Sequence, residues 1–247
     1  ADMTAMDPRD VMQATAGHIG DIGAAFYFHP GTLERGKAAG LDGFRFYFLG
    51  RGGVLGDVEA GVVRAAFGYF EAGLVDKIWT SAKEIMSPRE AARLYIACAH
   101  DLGREKFAGL DGLEDFVAAA STVIAAVEGA SLPLFEAVRC EPVPEDAAAA
   151  AMHQAMVLRE LRGSVHLLAL TACGLESKRA HGIKRPEAFK MFGYEAEIAV
   201  SEDDRAKWLR AEDLTDEILV PAYDHLSVDQ AAALVAGSAA MHAAISA

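Results

Sequence analysis

Apolar residues recur at every third or fourth position along most of the chain, which predicts helices and not strands. A first helix is predicted to begin at Pro8 with Asp7 as its N-cap, and a second to run through GHIGDIGAAFYFH, residues 17–29. Thr32 and the Ser87–Glu90 capping box are predicted to begin later helices. Only RFYFLG resembles a strand, and its flanks read as helix. The pattern predicts an all-α protein.

The stretch RCEPVPEDA, residues 139–147, interrupts the helical pattern with two prolines and three acidic residues. It predicts an N-terminal helical lobe over residues 1–140 and a C-terminal helical lobe over residues 141–247. The segments LERGKAAGLDGFRFYFLGRG and LESKRAHGIKRPEAFKMFGY align without a gap, from Leu33 and Leu175. We therefore expect the lobes to be duplicated copies packed together. The stretch LTDEILVPAYDHL is expected to separate the last two helices.

Composition narrows the class of protein. The 247 residues are 52% hydrophobic and 24% charged, which is typical of a globular domain with a large core. The net charge of −13 disfavours general binding to nucleic acid. Three distant cysteines predict neither a disulfide nor a zinc site and fit a cytoplasmic protein. No signal peptide is expected, and AAALVAGSAAMHAAI is expected to be too short to cross a membrane. The sequence leaves open whether the protein forms a homo-oligomer.

Three polar residues interrupt an otherwise apolar predicted helix. Arg162 and His166 lie four residues apart and therefore share a face, and Arg159 lies one turn earlier. Arginine side chains suit carboxylate or phosphate groups, so a ligand pocket is one interpretation. The alternative is that these side chains have a structural role, because a buried charge must be paired within the protein.

Two short stretches, AFYFHPG and GFRFYFLGRG, concentrate aromatic side chains. They predict an apolar wall for a flat ligand, with core packing as the alternative. Together with the polar helix they give these candidate ligand-binding residues: Tyr27, His29, Arg45, Tyr47, Arg51, Arg159, Arg162 and His166. Haem is a further alternative because His29 lies among aromatic residues, although no CxxCH motif is present. The sequence assigns no cofactor, metal site or catalytic motif, and whether the protein is an enzyme stays open.

The segment MHQAMVLRELRGSVHLLALTACGLE resembles an LRExRGxxH segment in an actinobacterial family of two-lobed helix-turn-helix or winged-helix-like proteins whose function is unassigned. The stretch AFYFHPGTLERGKAAGLDGFRFYFLGRGGVLGDV is similar to the family's first lobe. Two features depart from the family: Gly23 stands where a histidine is usual, and WLRAEDLTDEILV is shorter and more acidic than the family's wing. The resemblance implies a winged-helix-like ancestry and a regulator that has lost its wing.

Three functions follow from these observations. The first is binding of a small molecule in a pocket between the lobes, with or without catalysis. The second is a transcriptional regulator, for which the basic stretch LESKRAHGIKRPEAFK is the candidate recognition segment. The third is a protein-interaction module without a ligand. A nucleic-acid partner is disfavoured by charge, and no membrane partner is expected.

Overall fold

The computed structural model describes residues 5–247, and every regular element within that range is helical. The all-α fold class is thereby confirmed. The α-helices are α1 (Pro8–Ala24), α2 (Pro30–Ala38), α3 (Phe44–Gly52), α4 (Ala60–Phe67), α5 (Ala72–Lys83), α6 (Pro88–Phe107), α7 (Leu113–Ala126), α8 (Pro133–Arg139), α9 (Ala147–Ala172), α10 (Ser177–Lys184), α11 (Glu202–Tyr223) and α12 (Val228–Ile245). Short 3₁₀ turns occupy Gly53–Leu55 and Pro186–Ala188.

The central element is α9, which packs against α1, α6, α7, α8 and α11. Every residue from Ala149 to Leu158 on this helix is buried. A helix that is apolar on all sides belongs in the interior of a domain, where neighbouring helices surround it. The later half of α9 carries the polar residues and leaves this shell at one side, which is where the candidate site lies.

Small residues bring two helices very close to α9. A Cβ atom on Gly23 of α1 would lie 2.8 Å from the Ala155 carbonyl oxygen and 2.8 Å from Cβ of Arg159. A Cβ atom on Gly103 of α6 would lie 2.7 Å from Cβ of Met152. Neither position can carry a side chain unless the helices separate, because such contacts are shorter than van der Waals distance. The absence of a histidine at position 23 therefore has a packing reason in this chain.

Several predicted helix boundaries are confirmed and others are wrong. Asp7 caps α1, and Ser87 with Glu90 forms a capping box at the start of α6. The first two predicted helices are one continuous helix, α1. Thr32 does not cap α2, because Pro30 already occupies the first turn and the imidazole of His29 accepts the Gly31 N–H instead. The last two predicted helices are separate, as α11 and α12, but the break is shorter than expected: LTDEILVPAY belongs to α11, and residues 224–227 alone lie between the two helices.

The described residues before and after position 141 share one hydrophobic core, which extends from Val11 to Met241. The division into residues 1–140 and 141–247 stays a prediction, as does their duplication. Over the aligned segments, residues 33–52 form most of α2 and all of α3, whereas residues 175–194 form α10 and a single 3₁₀ turn. Pro186 begins this 3₁₀ turn, and the hydrogen-bonded turns that follow over residues 189–193 take the place of a second helix.

Among the described residues, α12 is the one helix whose 18 residues, with a mean hydropathy of 1.2, are long and apolar enough to cross a membrane. This corrects the expectation that the stretch is too short. Ala231, Leu234, Gly237 and Met241 of this helix are buried against the protein, where α12 packs on α1 and α7. A core helix meets the same length and composition criteria as a membrane span.

Candidate functional site

A cavity of about 340 Å³ lies beside the second half of α9 and is enclosed by α1, α3, α10, α11 and the segment after α4. This volume is within the range of small-molecule sites. Its apolar lining combines aliphatic side chains from α1, α9 and α11 with seven aromatic ones: Tyr47, Phe67, Tyr69, Phe70, Phe192, Trp208 and Tyr223. The cavity thus combines flat apolar surfaces with the polar face of α9.

A buried ion pair forms one wall. The Arg51 guanidinium donates from Nε to Oε1 of Glu160 at 2.8 Å and from Nη2 to Oε2 at 2.9 Å. Arg51 also donates to the Tyr47 hydroxyl at 2.7 Å, and the Tyr27 hydroxyl donates to Glu160 Oε1 at 2.8 Å. Burial raises the pKa of the Glu160 carboxyl, but Arg51 outweighs this, so that the pKa lies below its ordinary value. Glu160 is therefore an anion that pairs directly with Arg51, and Arg159 and the Tyr27 hydroxyl lower its pKa further.

Arg159 is held differently from Arg51. It donates from Nη1 to the Gly20 carbonyl at 2.9 Å and from Nε to the Tyr27 hydroxyl at 3.3 Å, with its guanidinium 5.4 Å from the centre of the Tyr27 ring. Within the described part of the chain, no carboxylate oxygen lies within 4.0 Å of this guanidinium. Burial alone would lower the pKa of Arg159, but the Tyr27 hydroxyl and the charge of Glu160 raise it above its ordinary value. Arg159 therefore has no direct carboxylate partner, although Glu160 acts on it from beyond contact distance.

Arg162 has partners on α11. Its Nη1 donates to Oδ1 of Asp216 at 3.0 Å, and its Nη2 lies 3.7 Å from Oε2 of Glu212. The Arg162 side chain is 32% exposed and that of Asp216 is 16% exposed. Arg162 therefore has the structural role that the sequence left open, because its ion pair with Asp216 joins α9 to α11.

His166 contacts two residues of α11. The Thr215 hydroxyl oxygen lies 2.9 Å from Nδ1 of His166 and 2.7 Å from the Ala211 carbonyl oxygen. On the other side of the ring, Nε2 lies 3.5 Å from Glu212 Oε1. Burial lowers the pKa of His166, and the positive charges of Arg162 and Lys184 lower it further, whereas the negative charge of Glu212 raises it.

Charge in the cavity opposes the charge of the whole chain. Among the described residues that line it, one carboxylate, Glu212, faces five cationic side chains: Arg51, Arg159, Arg162, Lys184 and Arg185. Glu160, Asp216 and Glu187 pair with Arg51, Arg162 and Arg185. With these partners counted, the described site still has one more positive charge than negative ones. A local cationic site in a protein of net charge −13 favours an anionic ligand over the rest of the surface.

Tyr69 reaches the cavity from a backbone conformation that non-glycine residues rarely adopt, with φ of 61°. The Ser177 hydroxyl accepts the Tyr69 N–H at 3.0 Å, and the Tyr194 hydroxyl donates to its carbonyl at 2.6 Å. These contacts from the α10 region hold the strained residue in place. Burial raises the pKa of the Tyr69 phenol, which is a neutral wall group.

The structure brings five predicted site residues to the cavity: Tyr47, Arg51, Arg159, Arg162 and His166. Tyr27 lies behind the wall, where it holds Glu160. His29 and Arg45 do not line the cavity. His29 caps α2, and Arg45 pairs with Asp42 and donates to Ser81. Arg45 and Arg51 lie six residues apart on α3, so they occupy different faces of the helix.

Sequence analysis missed several wall residues. Trp208 and Glu212 of α11, His181 of α10, and Phe192 are separated from Arg159 by 22 to 53 positions and carry no local signal. His181 is buried, with its ring 4.1 Å from that of Phe192. Lys184 was identified only as part of the basic stretch.

No group of three or more His, Cys, Asp or Glu side chains in the described chain could hold a metal ion. His29, on which the haem alternative rests, contributes no side chain to the cavity. The three cysteines are unpaired, as the sequence predicts.

The basic stretch on α10 is partly neutralised by nearby acids. Arg179 lies 3.1 Å from Asp204, and Lys178 lies 3.4 Å from Glu176. Lys184 and Arg185 contribute to the cavity wall. The LTDEILV stretch, at the expected position of the wing, is helical within α11. These features leave little uncompensated positive charge on the outer face of α10.

Residues 12–204 match a helix-turn-helix family. No match is found among curated proteins or among solved structures.

Proposed function

The chain belongs to this helix-turn-helix family, and we propose that it binds a small aromatic anion in the cavity beside α9. The observation that carries the proposal is Arg159, a half-buried guanidinium without a carboxylate partner at the wall of a ligand-sized cavity. A partly buried guanidinium without a direct carboxylate partner costs stability, and such a group persists where function requires it.

The walls support an aromatic ligand. Aromatic side chains line the cavity, among them Phe70 and Phe192, whose rings stack on each other with their centroids 4.3 Å apart. Lys184 adds a cation that has no carboxylate partner among the described residues. A planar body with one carboxylate therefore matches both the shape of the walls and their charge.

The charge requirement can be tested with two molecules of nearly equal shape. Isothermal titration of the wild-type protein should show 2-naphthoate binding at least tenfold more tightly than the neutral 2-naphthamide, because only the acid compensates Arg159. Raising the salt concentration should weaken the binding of 2-naphthoate more than the binding of 2-naphthamide. Equal binding of the two, or no binding of either, would contradict the proposal.

The family match favours a second candidate, a DNA-binding regulator. It requires an exposed basic face, and the α10 stretch is the only segment singled out for that role. A titration of duplex DNA at several salt concentrations separates the two candidates. If the protein binds small molecules, we expect weak binding to DNA whose affinity changes little with salt concentration. Nanomolar, sequence-specific binding to DNA would favour the regulator.

A further inference from the structure

The Tyr69 hydroxyl is an unused hydrogen-bonding group at the cavity. Tyr69 lines the cavity, and its hydroxyl has no hydrogen-bond partner among the described residues, nor is its oxygen closed off by the surrounding protein. Nearby tyrosine hydroxyls are used within the protein. The Tyr27 hydroxyl donates to Glu160 at 2.8 Å, and the Tyr47 hydroxyl accepts from a guanidinium at 2.7 Å. The Tyr69 hydroxyl is therefore available to a ligand.

The backbone of Tyr69 is strained, and two contacts hold it in place. Its φ of 61° is held by Ser177 at the N–H and by Tyr194 at the carbonyl, and neither of these side chains lines the cavity. Strain of this kind persists at binding sites, where the surrounding structure compensates for it. The Tyr69 ring packs on the small apolar cluster that contains Leu170 and Ala180. Such packing requires an aromatic ring but no hydroxyl, so it leaves the hydroxyl unexplained.

Two cations and one carboxylate of the cavity wall act on this hydroxyl. Burial raises the pKa of the Tyr69 phenol, Arg51 and Arg159 act against burial, and Glu212 acts with it. The phenol therefore stays protonated at neutral pH and has a proton to donate. The same two guanidiniums attract the negative end of an anionic ligand to this part of the cavity.

We propose that Tyr69 is a specificity-determining contact, whose hydroxyl donates a hydrogen bond to the anionic group of the ligand. This inference rests on the proposed function and adds a neutral donor to the Arg159 guanidinium. A hydrogen bond to an ionised acceptor is roughly twice as strong as one to a neutral acceptor. The hydroxyl therefore strengthens the preference of the site for an acid over the corresponding amide.

The test is Tyr69→Phe, which keeps the ring and removes the hydroxyl. In isothermal titration the variant should bind 2-naphthoate at least tenfold more weakly than wild type, and 2-naphthamide at most about threefold more weakly. Its unfolding temperature should not fall, because the hydroxyl has no partner in the protein to lose. Tyr95→Phe is the matched control, since the Tyr95 hydroxyl donates to the Tyr27 carbonyl at 3.1 Å and Tyr95 does not line the cavity. This control should unfold at a lower temperature and bind 2-naphthoate like wild type.

Three results for Tyr69→Phe would overturn this inference and leave the proposed function standing. The first is wild-type affinity for 2-naphthoate, and the second is an equal loss for 2-naphthoate and 2-naphthamide. The third is a fall in unfolding temperature as large as that of Tyr95→Phe, which would assign the hydroxyl to the fold. Failure of the wild-type protein to bind 2-naphthoate would overturn the proposed function itself, together with this inference.

Discussion

Arg51 of α3 and Glu160 of α9 form a two-point ion pair, with N–O distances of 2.8 and 2.9 Å. The Glu160 side chain is only 4% exposed and that of Arg51 only 17% exposed. Tyr27 adds a third hydrogen bond to the same carboxylate. This pair connects segments separated by 109 residues and fixes the wall of the cavity.

Glu160→Gln should lower the free energy of unfolding by about 3–5 kcal/mol, because it leaves the Arg51 guanidinium buried without its counter-ion. Glu217→Gln is the control, since Glu217 is 48% exposed, its partner Arg210 is 54% exposed, and such pairs contribute less than about 1 kcal/mol. Urea denaturation at pH 7 measures the free energy of unfolding of both variants. Equal losses in the two variants would contradict the importance of burial for the Arg51–Glu160 pair.

The same pair predicts a dependence on pH. The pKa of Glu160 is lower in the folded protein than in the unfolded chain, where it is about 4.3. Its contribution to stability is therefore complete above that value and is lost as the pH falls through the folded pKa. The difference in stability between wild type and Glu160→Gln should narrow in acid. A constant difference from neutral pH into strong acid would contradict this account.

Gly23→Ala should destabilise the protein by about 1–3 kcal/mol, because the new methyl group meets the α9 backbone at 2.8 Å. Gly17→Ala, on the same helix, is the matched control, since nothing lies within 4 Å of its Cβ position. That substitution should raise stability by up to about 1 kcal/mol through helix propensity. Thermal unfolding of the two variants should shift in opposite directions, and a shared direction would refute the packing argument.

The buried pair His100–His153, with Nε2 and Nδ1 2.9 Å apart, should make the protein sensitive to acid. Burial, and then the charge of His100, lower the pKa of His153 to about 4. The unfolded chain takes up the proton near pH 6.5, so stability is full above that pH and falls by roughly 3 kcal/mol towards pH 4. His153→Gln should flatten this part of the stability curve, whereas surface His225→Gln should not. An unchanged slope in His153→Gln would assign the effect to other groups.

Arg162→Met should lower the free energy of unfolding by about 1–3 kcal/mol, because Asp216 would lose its partner at 3.0 Å. Asp216→Asn should cost a similar amount, and the double variant should cost little more than either single change. Chemical denaturation of the four proteins completes this cycle. If Arg162→Met unfolded at the wild-type temperature and lost ligand binding, Arg162 would serve the ligand instead of the fold.

Local spacing was enough to predict the polar face of α9, because Arg159, Arg162 and His166 belong to one helix and share a side of it. The partners that decide their roles could not be predicted in this way. Asp216 and Thr215 arrive from α11, about fifty residues later, and helical periodicity gives no information on which helices become neighbours. The positive φ of Tyr69 likewise depends on contacts with Ser177 and Tyr194. The sequence was therefore enough to predict the helix and its polar face. The structural role of Arg162 and the proposed ligand-binding role of Arg159 depend on how the helices pack.

We propose that Arg159 is retained for an anionic ligand and not for stability. The direct test is the dissociation constant of 2-naphthoate for Arg159→Met, with Arg45→Met as the control because Arg45 lies outside the cavity and pairs with Asp42. We predict that Arg159→Met weakens binding at least tenfold while its free energy of unfolding stays within about 1 kcal/mol of wild type. Arg45→Met should bind like wild type. Unchanged affinity in a folded Arg159→Met variant would contradict the claim.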